Sequence, residues 1–201
     1  MRLLAIICAG ILPGTLGATT LSVTVNGADG KPLRNAVVSV QSPATRVGTA
    51  SVFTDAPSIT QQNIQFAPDV LLVRKGTTVS FPNRDKVRHH VYSFSKPKRF
   101  ELKLYGKDDT HSVRFEIAGT IALGCNIHDQ MSAFIRVVDT PWAGKTDANG
   151  RVTISGIPGG SSTITVWHPK AVAKNGEFVA PLPLPASGSI AKLITMRVAP
   201  R

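Results

Sequence analysis

An all-β fold is what this 201-residue chain predicts, on three observations. No long segment repeats its apolar residues at the 3.6-residue period of a helix. Short runs alternate apolar with polar residues, as half-buried strands do. Gly occurs 17 times and Pro 14 times, which favours many turns between short strands. Hydrophobic residues make up 42% of the chain, enough for one large core or two smaller ones and too many for a disordered chain.

The N-terminus, Met1-Arg2-Leu3-Leu4-Ala5-Ile6-Ile7-Cys8, continues to Leu16-Gly17-Ala18. A positive charge, a short apolar run and small residues before Thr19 predict a secretory signal over 1–18 and a periplasmic mature protein. Gly10, Pro13, Gly14 and Gly17 interrupt the run well before the roughly 20 apolar residues a spanning helix needs. No later segment could span a membrane. Cleavage removes Cys8 and leaves Cys125 as the lone thiol, which an oxidising compartment leaves buried, paired between chains or metal-bound. It also removes Arg2, lowering the formal charge from +11 to +10. For an exported chain this surface points to an acidic protein partner or an anionic surface rather than nucleic acid, with a solvated basic surface that has no partner as the alternative.

The first expected strand is Leu21 to Val25. A turn through Asn26-Gly27-Ala28-Asp29-Gly30-Lys31-Pro32 leads to a second at Ala36 to Val40. Ser42 to Pro57 reads as a loop. Strands follow at Ile64 to Phe66, Val70 to Val73, Thr78 to Phe81, His89 to Ser95, Ser112 to Ile117, Thr120 to Gly124 and Ala133 to Val138. Asp147-Ala148-Asn149-Gly150 reads as a tight turn; a calcium loop would need a downstream Glu that is absent. Strands Val152 to Ile154 and Thr163 to Trp167 come next, and the tail with Pro181, Pro183 and Pro185 is expected to be extended.

The chemically informative stretch is Cys125-Asn126-Ile127-His128-Asp129-Gln130-Met131. A loop between two strands can fold so that thiolate, imidazole and thioether converge. Soft sulfur with imidazole suits copper, and a His₂Cys plane with a weak axial Met is the blue-copper arrangement. A closed zinc site would normally want four strong ligands. The second imidazole must come from elsewhere, and His89-His90 opens an upstream strand. Only one of the two can face Cys125, because successive strand side chains alternate. Tyr92 and Phe94 share a face with His90 and would mark that face as interior. His111 and His168 have no local ligand spacing and are expected to play ordinary surface or core roles.

Asn83-Arg84-Asp85-Lys86-Val87-Arg88-His89-His90-Val91 resembles the first-ligand segment of cupredoxins. Phe115 through Ala118-Gly119-Thr120 to Cys125-x₂-His128-x₂-Met131 and Val138 resembles their C-terminal ligand loop, with the short His-to-Met gap of amicyanin. The resemblance implies a Greek-key cupredoxin sandwich holding one type 1 copper. It implies His89, Cys125 and His128 as strong ligands and Met131 as the axial one. Asn83, six residues before His89, is implied as a support of the ligand loops, with His90 beside the ligand. The chain departs from the pattern at Ile127 and Arg88, where many relatives carry Pro, and at His90, where Asn is usual. The chain also resembles periplasmic proteins often labelled methylamine-utilisation proteins.

A second resemblance covers the ends. Asp29-Gly30-Lys31-Pro32-Leu33 before Ala36-Val37-Val38, and Thr146 through Trp167, resemble carboxypeptidase-regulatory or transthyretin-like β-sandwiches. It implies that 19–50 and 139–201 form one sandwich into which a cupredoxin domain, 51–138, is inserted. Tandem domains and one enlarged sandwich are the alternatives. The expected function is one-electron transfer with a redox partner protein. No nucleophile-base pair or paired carboxylates suggest an enzyme. Copper delivery or storage, and a metal-free interaction module, are the competing functions.

Overall fold

The computed structural model describes residues 17–43, 53 and 56–199. The expected signal, except its last two residues, lies outside the described residues, as does most of the loop expected from Ser42 to Pro57. Strands β1 (Ala18–Gly27) and β2 (Val37–Gln41) come first. The middle of the chain contributes β3 (Thr60–Gln62), β4 (Gln65–Ala67), β5 (Val70–Arg74), β6 (Thr77–Pro82) and β7 (His89–Ser93). It continues with β8 (Phe100–Tyr105), β9 (Thr110–Phe115), β10 (Gly119–Cys125) and β11 (Ser132–Val138). The last third supplies β12 (Ala143–Lys145), β13 (Arg151–Pro158), β14 (Gly160–Trp167), β15 (Glu177–Leu184) and β16 (Gly188–Met196). The all-β expectation is borne out. No helix among the described residues is long and apolar enough to cross a membrane.

The strands from the two ends of the chain pair with each other. One sheet has the order β13-β1-β16 and a second the order β12-β2-β14-β15. Alternation along β1 puts Leu21, Val23 and Val25 on one face. There they share a buried core with Val38, Val40, Ile154, Val166, Leu182 and Ile194. The expected tight turn is present: the Asp147 carboxylate accepts the N–H groups of Asn149 and Arg151, both at 2.9 Å. The tail is extended, but it is more than a tail, because β15 pairs antiparallel with β14 and β16 pairs parallel with β1. Pro181 and Pro183 stand opposite Thr163 and Ser161. Being two residues apart, both lack an N–H on the same edge, so β15 pairs on one side and is closed to pairing on the other.

The middle of the chain builds a five-stranded sheet, β5-β11-β10-β7-β8, faced by the pairs β3-β4 and β6-β9. Phe81, Phe115, Val91, Ile121, Leu123 and Ile135 fill the space between, together with Cys125 and Met131. Strand β8 falls outside the expected set although its Phe100, Leu102 and Leu104 alternate with Glu101 and Lys103.

A third apolar cluster joins the two groups of sheets. Val70, Leu72 and Val138 meet Val37, Ala143 and Trp167, with the Phe134 and Trp167 rings 5.7 Å apart. The Arg136 guanidinium lies over the Trp167 ring and donates to Glu177 at 2.5 Å and Thr120 at 2.8 Å. Lys145 donates to the Val70 carbonyl at 2.7 Å, and burial there lowers its pKa. The outer face of β5 and β11 is therefore packed against the other sandwich.

Candidate metal centre

Strand phase decides which histidine faces the core. Along β7 the odd residues His89, Val91 and Ser93 are buried, while His90 and Tyr92 lie on the other face. Val91 belongs to the apolar core, so its neighbours two residues away point the same way. His89 has no exposed surface, and its Nδ1 lies 3.8 Å from Cys125 Sγ. The aromatic phase would have chosen His90, but Tyr92 and Phe94 are on the outer face and Phe94 is 77% exposed. The His90 imidazole turns outward to Glu101, at 2.7 Å. Its contact with the ligand loop is through the backbone, where its carbonyl accepts the Asn126 N–H at 3.0 Å.

Cys125 ends β10 opposite Val91 and is buried. Gly124 before it lies under the Tyr92 ring, which a Cβ there would meet at 2.8 Å. Beyond Cys125 the chain turns, so that His128 Nδ1 lies 3.6 Å from Cys125 Sγ. The same turn is closed by the Met131 N–H, which donates to the His128 carbonyl at 3.0 Å. Met131 is buried in the core cluster that contains Cys125. His128 is half-buried, and Ile127 beside it is 50% exposed, so the centre reaches the surface at this edge.

His89, Cys125 and His128 bring one donor atom each within 4.8 Å of one another. The donor set fits a metal ion. With ordinary metal–N and metal–S bonds, adjacent nitrogen and sulfur donors in a trigonal plane stand about 3.7 Å apart, and the two sulfur–nitrogen separations are 3.8 and 3.6 Å. One thiolate with two imidazoles is a soft set suited to copper, and it is one strong donor short of a closed structural zinc site.

The support of His89 includes a residue that sequence reasoning missed. Asp85 Oδ2 lies 2.7 Å from His89 Nε2, the ring nitrogen pointing away from Cys125. The same carboxylate accepts the N–H groups of Asn63 at 2.6 Å and Ile64 at 3.0 Å. Those two residues have φ of 55° and 54°, the left-handed pair that a two-residue type I′ hairpin loop between β3 and β4 requires. A β-branched Ile in that region is strained, a cost found where surrounding contacts determine the conformation. Burial alone would raise the Asp85 pKa. The Ile64 N–H, the His89 imidazole and the Asn63 N–H outweigh burial and hold it below the usual carboxylate value.

Asn83 is fully buried and holds the loop that delivers both Asp85 and His89. Its amide donates to the carbonyls of Val87 at 2.9 Å and Tyr105 at 3.2 Å, while its Oδ1 accepts the Asp85 N–H at 2.8 Å. His111 is exposed and meets Tyr105 edge-on at 4.5 Å. His168 is buried at the end of β14, where its Nδ1 accepts the Lys170 N–H at 3.3 Å. Both lie apart from the three-donor cluster.

No protein-family model and no curated protein sequence matches the chain. Solved structures match it in part. A copper-containing nitrite reductase from Thermus scotoductus is 26% identical over 47% of this chain, with a TM-score of 0.41; the match spans only 25% of that enzyme chain. A purple cupredoxin from Nitrosopumilus maritimus is 22% identical over 41% of this chain and 99% of its own, with a TM-score of 0.37. A reduced Cu(I) form of an amicyanin mutant is 24% identical over 50% of this chain and 98% of its own, with a TM-score of 0.39.

Proposed function

We propose that this chain is an exported mononuclear copper protein that carries single electrons between redox partners. His89, Cys125 and His128 would serve as the strong donors and Met131 as a weak fourth one. The observation that carries this reading is the convergence of one buried thiol with two imidazole nitrogens, at 3.8 and 3.6 Å, at an edge of the sandwich. A bound copper ion supplies one-electron chemistry there.

The protein's part is to hold the donors still. Cys125 is fixed by sheet pairing, and His89 by the Asp85 hydrogen bond, which sets the tautomer with Nδ1 free to donate. Held this way, the donors would need little rearrangement between the two oxidation states of a bound copper. Half-buried His128 is the way out for the electron, because it is the donor that approaches solvent. The basic chain steers an acidic partner toward that edge. Lys86 and Arg88, exposed on the loop before His89, place part of the charge beside the centre, while Arg84 on the same loop pairs with Asp108 at 3.7 Å. The end strands form a second domain that frames this one.

Electron transfer is separated from copper delivery or storage by cycling. The mature protein, loaded with one equivalent of copper, is oxidised and reduced repeatedly against a small-protein electron acceptor in the presence of a Cu(I) chelator. Retention of the equivalent through many cycles supports electron transfer. Loss of copper to the chelator on first reduction would replace it with delivery.

A further inference from the structure

We infer that the cleft between the two sandwiches, beside Met131, is a docking site for an acidic polypeptide segment. The inference goes beyond the copper reading and stands without it, because the charges that carry it, on Arg34, Lys170 and Arg197, lie outside the proposed ligand set. The cleft encloses about 1440 Å³. Small-molecule pockets run to roughly 300–1,000 Å³, so this one suits a stretch of chain.

Its two walls differ in chemistry. Lys31, Arg34, Lys170 and Arg197 line the side built by the end strands, whereas Gln130 and Met131 come from the ligand loop opposite. Lys31 is paired with Asp29 at 3.6 Å. Arg34, Lys170 and Arg197 are exposed and have no ion-pair partner among the described residues. Asp69 is the one further acid of the lining, so positive charge is in excess. His168 adds no positive charge: burial first, then the Lys170 charge, lowers its pKa against the raising effect of its hydrogen bond to the Arg34 backbone.

Unpaired cations above a partly apolar floor, with Leu33 and Phe66 in the lining, match carboxylates carried on a chain that also has surface to bury. Since Gln130 and Met131 form one wall, an occupant reaches the ligand loop directly. A segment seated here would lie against the Gln130–Ser132 stretch of that loop.

The test uses the mature chain, with and without copper, and a fluorescein-labelled hexaglutamate peptide at physiological ionic strength. The peptide should bind both forms and shift the backbone amide signals of Gln130, Ser132 and Val198. The triple variant Arg34→Ser, Lys170→Ser, Arg197→Ser should weaken binding at least tenfold. Lys96→Ser, Lys98→Ser, Lys103→Ser removes the same charge from the β7–β8 region and should change binding less than threefold. Absence of binding, equal loss in the two triple variants, or amide shifts confined to other surfaces would overturn the inference. So would citrate competing as strongly, mole for mole, as the peptide, because the cleft would then be a small-carboxylate site.

Discussion

Replacing Asp85 with Asn removes one charge from the far end of the His89 ring while keeping the side chain's size. Asp85 Oδ2 lies 2.7 Å from His89 Nε2. Across the imidazole and one ordinary metal–nitrogen bond, the carboxylate would stand about 7 Å from an ion held at Nδ1. At an effective dielectric constant of 20, the change of one unit charge on that ion interacts with the carboxylate by about 2 kcal/mol. For a one-electron couple this is about 100 mV. A negative charge favours the higher oxidation state, so Asp85→Asn should raise the reduction potential, by up to that amount. It should also weaken the fold by about 2 kcal/mol, because a charge-assisted acceptor of two backbone N–H groups becomes a neutral amide. Cyclic voltammetry of the copper-loaded variant reads the first effect and thermal denaturation the second. His90→Asn is the control: its pair with Glu101 is on the opposite face, and its potential should move far less. An Asp85→Asn potential that stays put or falls, in a variant that retains copper, would refute the reasoning.

Three further outcomes follow from the same geometry. His89→Gly should open a position that added imidazole fills, restoring the thiolate-to-copper absorption band expected of the copper-loaded protein, while His90→Asn leaves that band largely intact; the reverse pattern in absorption spectra would put the first ligand at His90. Replacing 51–138 by a short flexible linker should leave a folded β-domain, because the end strands share their own core. Its melting temperature should fall as Val37, Ala143 and Trp167 lose their cover, and an unfolded product by circular dichroism would favour one integrated core. Burial lowers the His168 pKa, so the unfolded chain binds its proton more readily. The stability His168 contributes is therefore full above the ordinary histidine value of about 6.5 and declines as pH falls through it. Denaturant titrations of the metal-free protein at pH 7.5 and 5.5 should show this loss, and His168→Gln should reduce it.

The parts of the centre legible in the sequence are those written within one loop. Cys125 and His128 are close in sequence because a single turn brings their donor atoms together, Met131 closes that turn through its N–H, and His89 shows through its spacing from Asn83. Asp85 was hidden because its role depends on a hairpin loop more than 20 residues upstream. Asn63 and Ile64 carry no local mark of the left-handed conformation that aims their N–H groups at it. The aromatic phase misled for a physical reason as well. Tyr92 packs over Gly124 on the outer face, and Phe94 stacks on Tyr92 at 5.0 Å while remaining exposed. In the tail, alternate prolines masked β15, and the partner of β16 lies at the opposite end of the chain, where no local pattern points to it.

The most direct test of the account is the visible absorption spectrum of the purified protein after one equivalent of Cu(II), beside that of Cys125→Ser. The account predicts an intense thiolate-to-copper band in the first and none in the second, with both proteins retaining the same β-sheet circular dichroism. Failure of the wild-type protein to develop the band, or its persistence in Cys125→Ser, would contradict it.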